Sequence, residues 1–314
     1  MKKVLRFLIL ATLLLCLVTL YQYYNEDISK LEAARAASKS KFIESEIGIT
    51  RYQVFGEKNN PTIVLIHSFN GFLESWDPNI NALVNIGYRV VAYDLYGRGL
   101  SDRPFIKYDL SLFRDQLDLV IKEVDANTVH LIGSSFGCII ASDYTINHPE
   151  RVDKLVMIGP AGWPQEGGRN PLLDVPIIGD LAFHYFGEKI LRPKVKAYLF
   201  KPSKHREVIE EWSRFASYSG FTRSALSTLR HSPVLDYTAG WKELEVLKKP
   251  TLFIWGQQDV SFPFTNTKKL SELIPHAEII GINDAAHWVN IEQAELVNNK
   301  TIQFLNIDSE GEDG

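Results

Sequence analysis

The segment from Thr128 to Asn147 constrains this chain more than any other. Thr128-Val-His-Leu-Ile132 reads as a buried strand, Cys138 to Asn147 reads as a helix, and Gly133-Ser134-Ser135-Phe136-Gly137 joins them. A serine on so sharp a strand-to-helix turn is pushed out of the sheet, and the flanking glycines are needed where a side chain would collide with the neighbouring strand and helix. The helix start behind Ser135 offers unpaired N–H groups and a positive dipole end to a developing oxyanion. The competing reading is a plain Gly/Ser turn with no chemistry.

The same strand-and-helix rhythm runs through most of the chain. Ile47 to Phe55, Thr62 to Ile66, Tyr88 to Tyr93, Lys154 to Ile158, Thr251 to Trp255 and Ala277 to Ile282 have strand patterns. Trp76 to Ile86, Asp109 to Val124, Phe264 to Leu273 and Ile291 to Leu305 have helical ones. Continuous apolar strands separated by helices predict an α/β fold with a mostly parallel sheet covered on both faces. From Trp163 to Thr238 the strands stop, and helical patterns broken by prolines predict an inserted helical cap. The expected organisation is a core over residues 42–162 and 239–308, a cap over 163–238, and an acidic tail over 309–314.

The first 41 residues read differently. Lys2, Lys3 and Arg6 precede an uncharged run from Phe7 to Tyr24. Counting from Val4, about 18 residues would span roughly 27 Å, near the lower limit for crossing a bilayer. Tyr21, Tyr23 and Tyr24 would form an aromatic belt. Residues 1–24 are therefore expected to be a single-pass anchor, with the N-terminus cytoplasmic and the catalytic part on the far side, periplasmic or lumenal. Residues 25–41, polar and alanine-rich with no buried face of any width, then read as a short helical or flexible stalk. A cleaved signal followed by secretion is the competing reading, but no small-residue cleavage site follows the apolar core.

A net charge of −4 and the absence of a basic aromatic stripe argue against nucleic acid as a partner. The two cysteines, Cys16 and Cys138, are placed too differently to pair, and no Cys/His spacing suits zinc. No metal and no organic cofactor is expected.

A serine nucleophile needs a base, and the base needs an acid to orient it. Of eight histidines, only His67, at the end of the Thr62 strand, and His287, in the loop after the last strand, lie beyond the carboxyl ends of strands, where reactive groups of open α/β sheets gather. The order serine, acid, histidine selects His287 as base and leaves His67 to orient a loop. Asp259, after the Thr251 strand and a glycine turn, is the acid of choice; Asp284 and Asp236 compete with it. The Phe136 N–H and the Phe69 N–H, from the loop His67-Ser68-Phe69-Asn70-Gly71, are the expected oxyanion donors.

These motifs, with the Asp94-Leu-Tyr-Gly-Arg-Gly-Leu-Ser101 turn, resemble the α/β-hydrolase superfamily over Phe42 to Leu305. The resemblance extends to membrane-anchored monoacylglycerol-lipase-type and esterase-type members. It departs at Ser68 and Ala286, where glycine is usual. It implies a serine esterase acting on a small lipophilic ester. Other members cleave carbon–carbon bonds or amides, and for a carbon–carbon hydrolase Arg98 or Arg223 would bind a substrate carboxylate. A catalytically silent, membrane-tethered binding protein is the non-enzyme alternative. The apolar stretch from Leu172 to Phe186 suits either a pocket mouth or cap packing.

Overall fold

A computed structural model describes residues 2–164, 168 and 170–306. Eight strands form one sheet: β1 (Lys41–Glu44), β2 (Ile49–Phe55), β3 (Thr62–Ile66), β4 (Arg89–Tyr93), β5 (Val129–Ser134), β6 (Val152–Ile158), β7 (Thr251–Gly256) and β8 (Glu278–Ile282). Their order is β1-β2-β4-β3-β5-β6-β7-β8. β1, β2 and β4 pair antiparallel, and every pairing from β4 through β3 to β8 is parallel.

The helices are α1 (Lys2–Tyr24), α2 (Ser29–Ala37), α3 (Asp77–Asn85), α4 (Leu110–Glu123), α5 (Phe136–Asn147), α6 (Ile178–Ala197), α7 (Arg206–Ala216), α8 (Phe221–His231), α9 (Thr238–Val246), α10 (Asn266–Leu273), α11 (Val289–Glu292) and α12 (Ala294–Asn306). The two sides of the sheet follow from the period of two along each strand. Val64 and Ile66 face the core shared with α4, α5 and α9, whereas Ile63 and Leu65 face the core shared with α3 and α12. This is the α/β-hydrolase fold, a mostly parallel sheet flanked by helices. α6 to α9 lie between β6 and β7; α6, α7 and α8 build the inserted cap.

Several local expectations change. The first strand pattern is β2, and an additional strand the sequence did not mark, β1, precedes it and pairs with it antiparallel across a turn that holds Gly48 at φ 151°. The last helix breaks at Gln293 into α11 and α12. α6 runs through Pro193, where the sequence predicts a stop. Residues 25–41 are no free stalk: Leu31 is buried, and Arg35 pairs with Asp102 at 2.6 Å. The acidic tail lies outside the described residues.

The N-terminal expectation is overturned. Among the described residues no helix is long and apolar enough to cross a membrane. The single-pass anchor, and with it a catalytic part held across a membrane, is therefore withdrawn. The physical reason is the length of the run between Arg6 and the tyrosines, which itself contains Thr12 and Thr19. Between Arg6 and Tyr21 it spans about 21 Å at 1.5 Å per residue, against a hydrocarbon core of about 30 Å. The C-terminal end of α1 instead packs on the cap. Thr19 Oγ1 lies 2.9 Å from the Tyr185 hydroxyl, and the Tyr23 ring meets His184 and Phe105 edge-on.

Candidate active site

Ser135 sits between β5 and α5 with φ 55° and ψ −112°, a region that side-chain-bearing residues avoid. Two close approaches hold it there. A Cβ on Gly137 would lie 2.1 Å from the Ile66 carbonyl oxygen, and one on Gly133 would lie 2.5 Å from the Gly137 backbone. The Ser135 N–H donates to the Ile158 carbonyl at 2.8 Å, tying the turn to β6.

The structure brings three of the expected residues together. His287 Nε2 lies 2.7 Å from Ser135 Oγ, and His287 Nδ1 lies 2.7 Å from Asp259 Oδ2. All three residues are buried. A carboxylate can only accept, so Nδ1 carries the proton and Nε2 is free to accept from the serine hydroxyl. The other Asp259 oxygen accepts the N–H groups of Ser261 and Phe262 at 2.8 and 3.0 Å, which sets the carboxylate plane. The competing acids lie elsewhere. Exposed Asp284 pairs with Lys201 at 3.0 Å, and Asp236 accepts the Thr238 N–H at the start of α9.

Phe69 and Phe136 come side by side, their rings 6.5 Å apart and edge-on. Among the described residues neither N–H donates to a protein acceptor. His67 shapes the loop that carries Phe69. Its Nδ1 donates to the Ser68 carbonyl at 2.8 Å, and its Nε2 accepts the Leu95 N–H at 3.0 Å. Burial pushes its pKa down to about 4, so the ring is neutral, and with Nε2 already accepting the Leu95 N–H it has no free nitrogen to serve as base. Asp94 in the neighbouring turn accepts the Leu73 and Leu100 N–H groups at 2.8 Å each and pairs with Arg51 at 3.1 Å. Ser68 and Ala286 are accommodated. Ser68 Oγ accepts the Trp288 indole N–H at 3.1 Å, and the Ala286 N–H donates to Glu292 at 2.8 Å.

A cavity of about 290 Å³ opens on Ser135, walled by Phe69, Leu191, Leu229, Val234, Leu235, Val260 and Phe262. Asn70, Lys194, Tyr198 and Ser261 add polar groups. An adjoining cavity of about 300 Å³ shares Leu191, Lys194, Leu229 and Leu235 and continues between Leu173, Phe183 and Ile190. Of the apolar stretch after Leu172, only Leu173 and Phe183 face that space; Leu172, Ile177, Ile178, Tyr185 and Phe186 are exposed.

Neither expected arginine lines the cavity. Arg98 donates to the Phe69 carbonyl at 2.5 Å and stacks on the Phe69 ring, and Arg223 is bound to Glu26. Sequence reasoning missed Tyr198, whose ring lies 4.8 Å from that of His287 and whose hydroxyl accepts from Asn70 Nδ2 at 3.1 Å. Nothing in the local pattern marks it, since it arrives from the end of a cap helix. Asn70 was within reach, as the neighbour of Phe69.

The comparisons with known proteins agree with this architecture. A family model described as the alpha/beta hydrolase fold matches residues 61–190. The chain belongs to the α/β-hydrolase superfamily. This α/β hydrolase is 26% identical to the 2-hydroxy-6-oxononadienedioate/2-hydroxy-6-oxononatrienedioate hydrolase of Cupriavidus pinatubonensis, over 88% of this chain and 99% of that one. It is 29% identical to the AB hydrolase superfamily protein YisY of Bacillus subtilis, over 78% and 91%. Among solved structures it resembles the enol-lactonase of Burkholderia xenovorans, with a TM-score of 0.72 and 22% identity over 85% of this chain and all of that one. These relatives do not carry the narrower likeness to monoacylglycerol lipases.

Proposed function

We propose that this hydrolase cleaves carboxylic esters through an acyl-enzyme formed on Ser135. The observation that carries the reading is the 2.7 Å contact between Ser135 Oγ and His287 Nε2 at the floor of a largely apolar cavity. Ser135 Oγ attacks the acyl carbon while His287 Nε2 takes its proton. The oxyanion that forms is met by the Phe69 and Phe136 N–H groups. His287 then returns the proton to the departing alkoxide, and the alcohol leaves. Water, deprotonated by the same nitrogen, releases the acid. Asp259 holds the imidazole in the required tautomer and offsets its charge. The apolar wall and the adjoining cavity suit a hydrophobic acyl group.

The test is labelling with a fluorophosphonate together with turnover of p-nitrophenyl esters of graded chain length. Wild-type protein is labelled and Ser135→Ala is not. A folded wild-type protein that is neither labelled nor active on any ester of the series would end the proposal.

Carbon–carbon bond hydrolysis is the second reading. It draws on the name of the Cupriavidus relative and on Lys194, the one charged side chain among the described residues lining the cavity. A substrate carboxylate would pair with its ammonium. Turnover of 2-hydroxy-6-oxononadienedioate that Lys194→Gln lowers at least about tenfold, with neutral ester turnover unchanged, would favour this reading.

A further inference from the structure

The chain leaves the cap helix α6 through Tyr198-Leu199-Phe200-Lys201, and this short segment is bound to the His287 loop at several points. The Trp288 N–H donates to the Tyr198 carbonyl at 2.9 Å. The Phe200 N–H donates to Glu292 Oε2 at 2.9 Å and the Lys201 N–H to Glu292 Oε1 at 3.0 Å. Glu292 Oε2 also accepts the N–H of Ala286, the residue before His287, at 2.8 Å. One carboxylate thus takes three backbone N–H groups, two from the segment after cap helix α6 and one from the loop that carries the imidazole. The segment also touches the ring itself through Tyr198, whose hydroxyl reaches Asn70 beside Phe69.

We propose that Glu292 is a positioning residue for His287, joining the seating of the cap to the orientation of the imidazole. The inference rests on the reading of His287 as the base. A carboxylate suits the place because it only accepts, with two oxygens to share among three donors. Glutamine offers one acceptor oxygen and turns an NH2 group toward a backbone N–H. Aspartate keeps both oxygens but sits one methylene short. A shift of about 1 Å in the imidazole costs on the order of 100-fold in rate. The loss falls mainly in kcat, because most of the cavity wall, including Phe69, Leu229, Val234, Val260 and Phe262, lies off the segment that Glu292 holds.

The experiment compares the full-length wild type with Glu292→Gln and Glu292→Asp. Active sites are titrated to completion with a fluorophosphonate, kcat and KM are measured on p-nitrophenyl butyrate, and thermal unfolding is followed in parallel. The expected result is a fall in kcat per titrated site of about 10- to 100-fold in Glu292→Gln, with KM within about twofold of wild type and part of kcat recovered in Glu292→Asp. Wild-type kcat per titrated site in Glu292→Gln, at whatever melting temperature, overturns the proposal, as does a loss confined to KM. If Glu292→Gln does not fold, Glu292→Asp decides by the same criterion. A wild-type protein that is neither labelled nor active instead defeats the underlying assignment of Ser135 and His287.

Discussion

Arg223 and Glu26, 197 positions apart, form a two-pronged ion pair in which Nη2 lies 2.7 Å from Oε2 and Nε lies 2.9 Å from Oε1. Only 7% and 9% of the two side chains remain exposed. The guanidinium also donates to the Arg103 and Pro104 carbonyls and lies 3.6 Å over the Phe105 ring. The pair fastens the segment after α1 to cap helix α8. Removing one partner strands the other charge away from water. Glu26→Gln should therefore cost about 3 kcal/mol in urea unfolding, and the double variant Glu26→Leu/Arg223→Met should recover most of it. A loss below about 0.5 kcal/mol in Glu26→Gln would show the pair to be solvated.

The neutral state of His67 predicts a pH effect. Its folded pKa of about 4 lies below the unfolded value of 6.5, so between these values the unfolded chain binds the extra proton. The stabilisation is whole above pH 6.5 and is lost as pH falls toward 4, by about 3 kcal/mol. Wild type should lose that much more than His67→Gln over this window in denaturant titrations. Parallel pH curves for the two proteins would contradict it.

Strain at Ser135 predicts opposite effects on stability and activity. Glycine adopts φ 55° and ψ −112° without steric cost, whereas alanine does not. Ser135→Gly should unfold about 1 kcal/mol later than Ser135→Ala, with both proteins inactive. Equal stabilities would remove the argument for strain.

Gly137→Ala places a methyl 2.1 Å from the Ile66 carbonyl, against backbone that cannot yield without moving β3. The expected cost is about 3 kcal/mol or more, read as a drop in melting temperature or in soluble yield. A variant as stable as wild type would mean the helix start can shift.

With Asp259 replaced by Asn, the residue at this place can donate to Nδ1 and favour the wrong imidazole tautomer. The expected fall in kcat is about 10,000-fold at neutral pH, with folding retained. Turnover within about tenfold of wild type would transfer the role to another acid.

The sequence alone determined the elements whose causes are local. The period-two and period-3.6 patterns marked the sheet and its covering helices, and the glycine spacing around Ser135 marked the sharp turn. The strand-end positions of Asp259 and His287 singled out the two partners that the structure sets 2.7 Å apart. What failed was mostly a matter of distance in the chain. Flanking residues counted with the apolar run made α1 look long enough to span a bilayer, and Leu31 looked exposed because its partners lie far downstream. Arg98 and Arg223 looked free to bind a carboxylate until folding gave them Phe69 and Glu26. Tyr198, Lys194 and Glu292 carry no local mark at all. Their places depend on where a cap helix ends against a loop some ninety residues later, and that is settled by packing between distant segments, which no periodicity along the chain encodes.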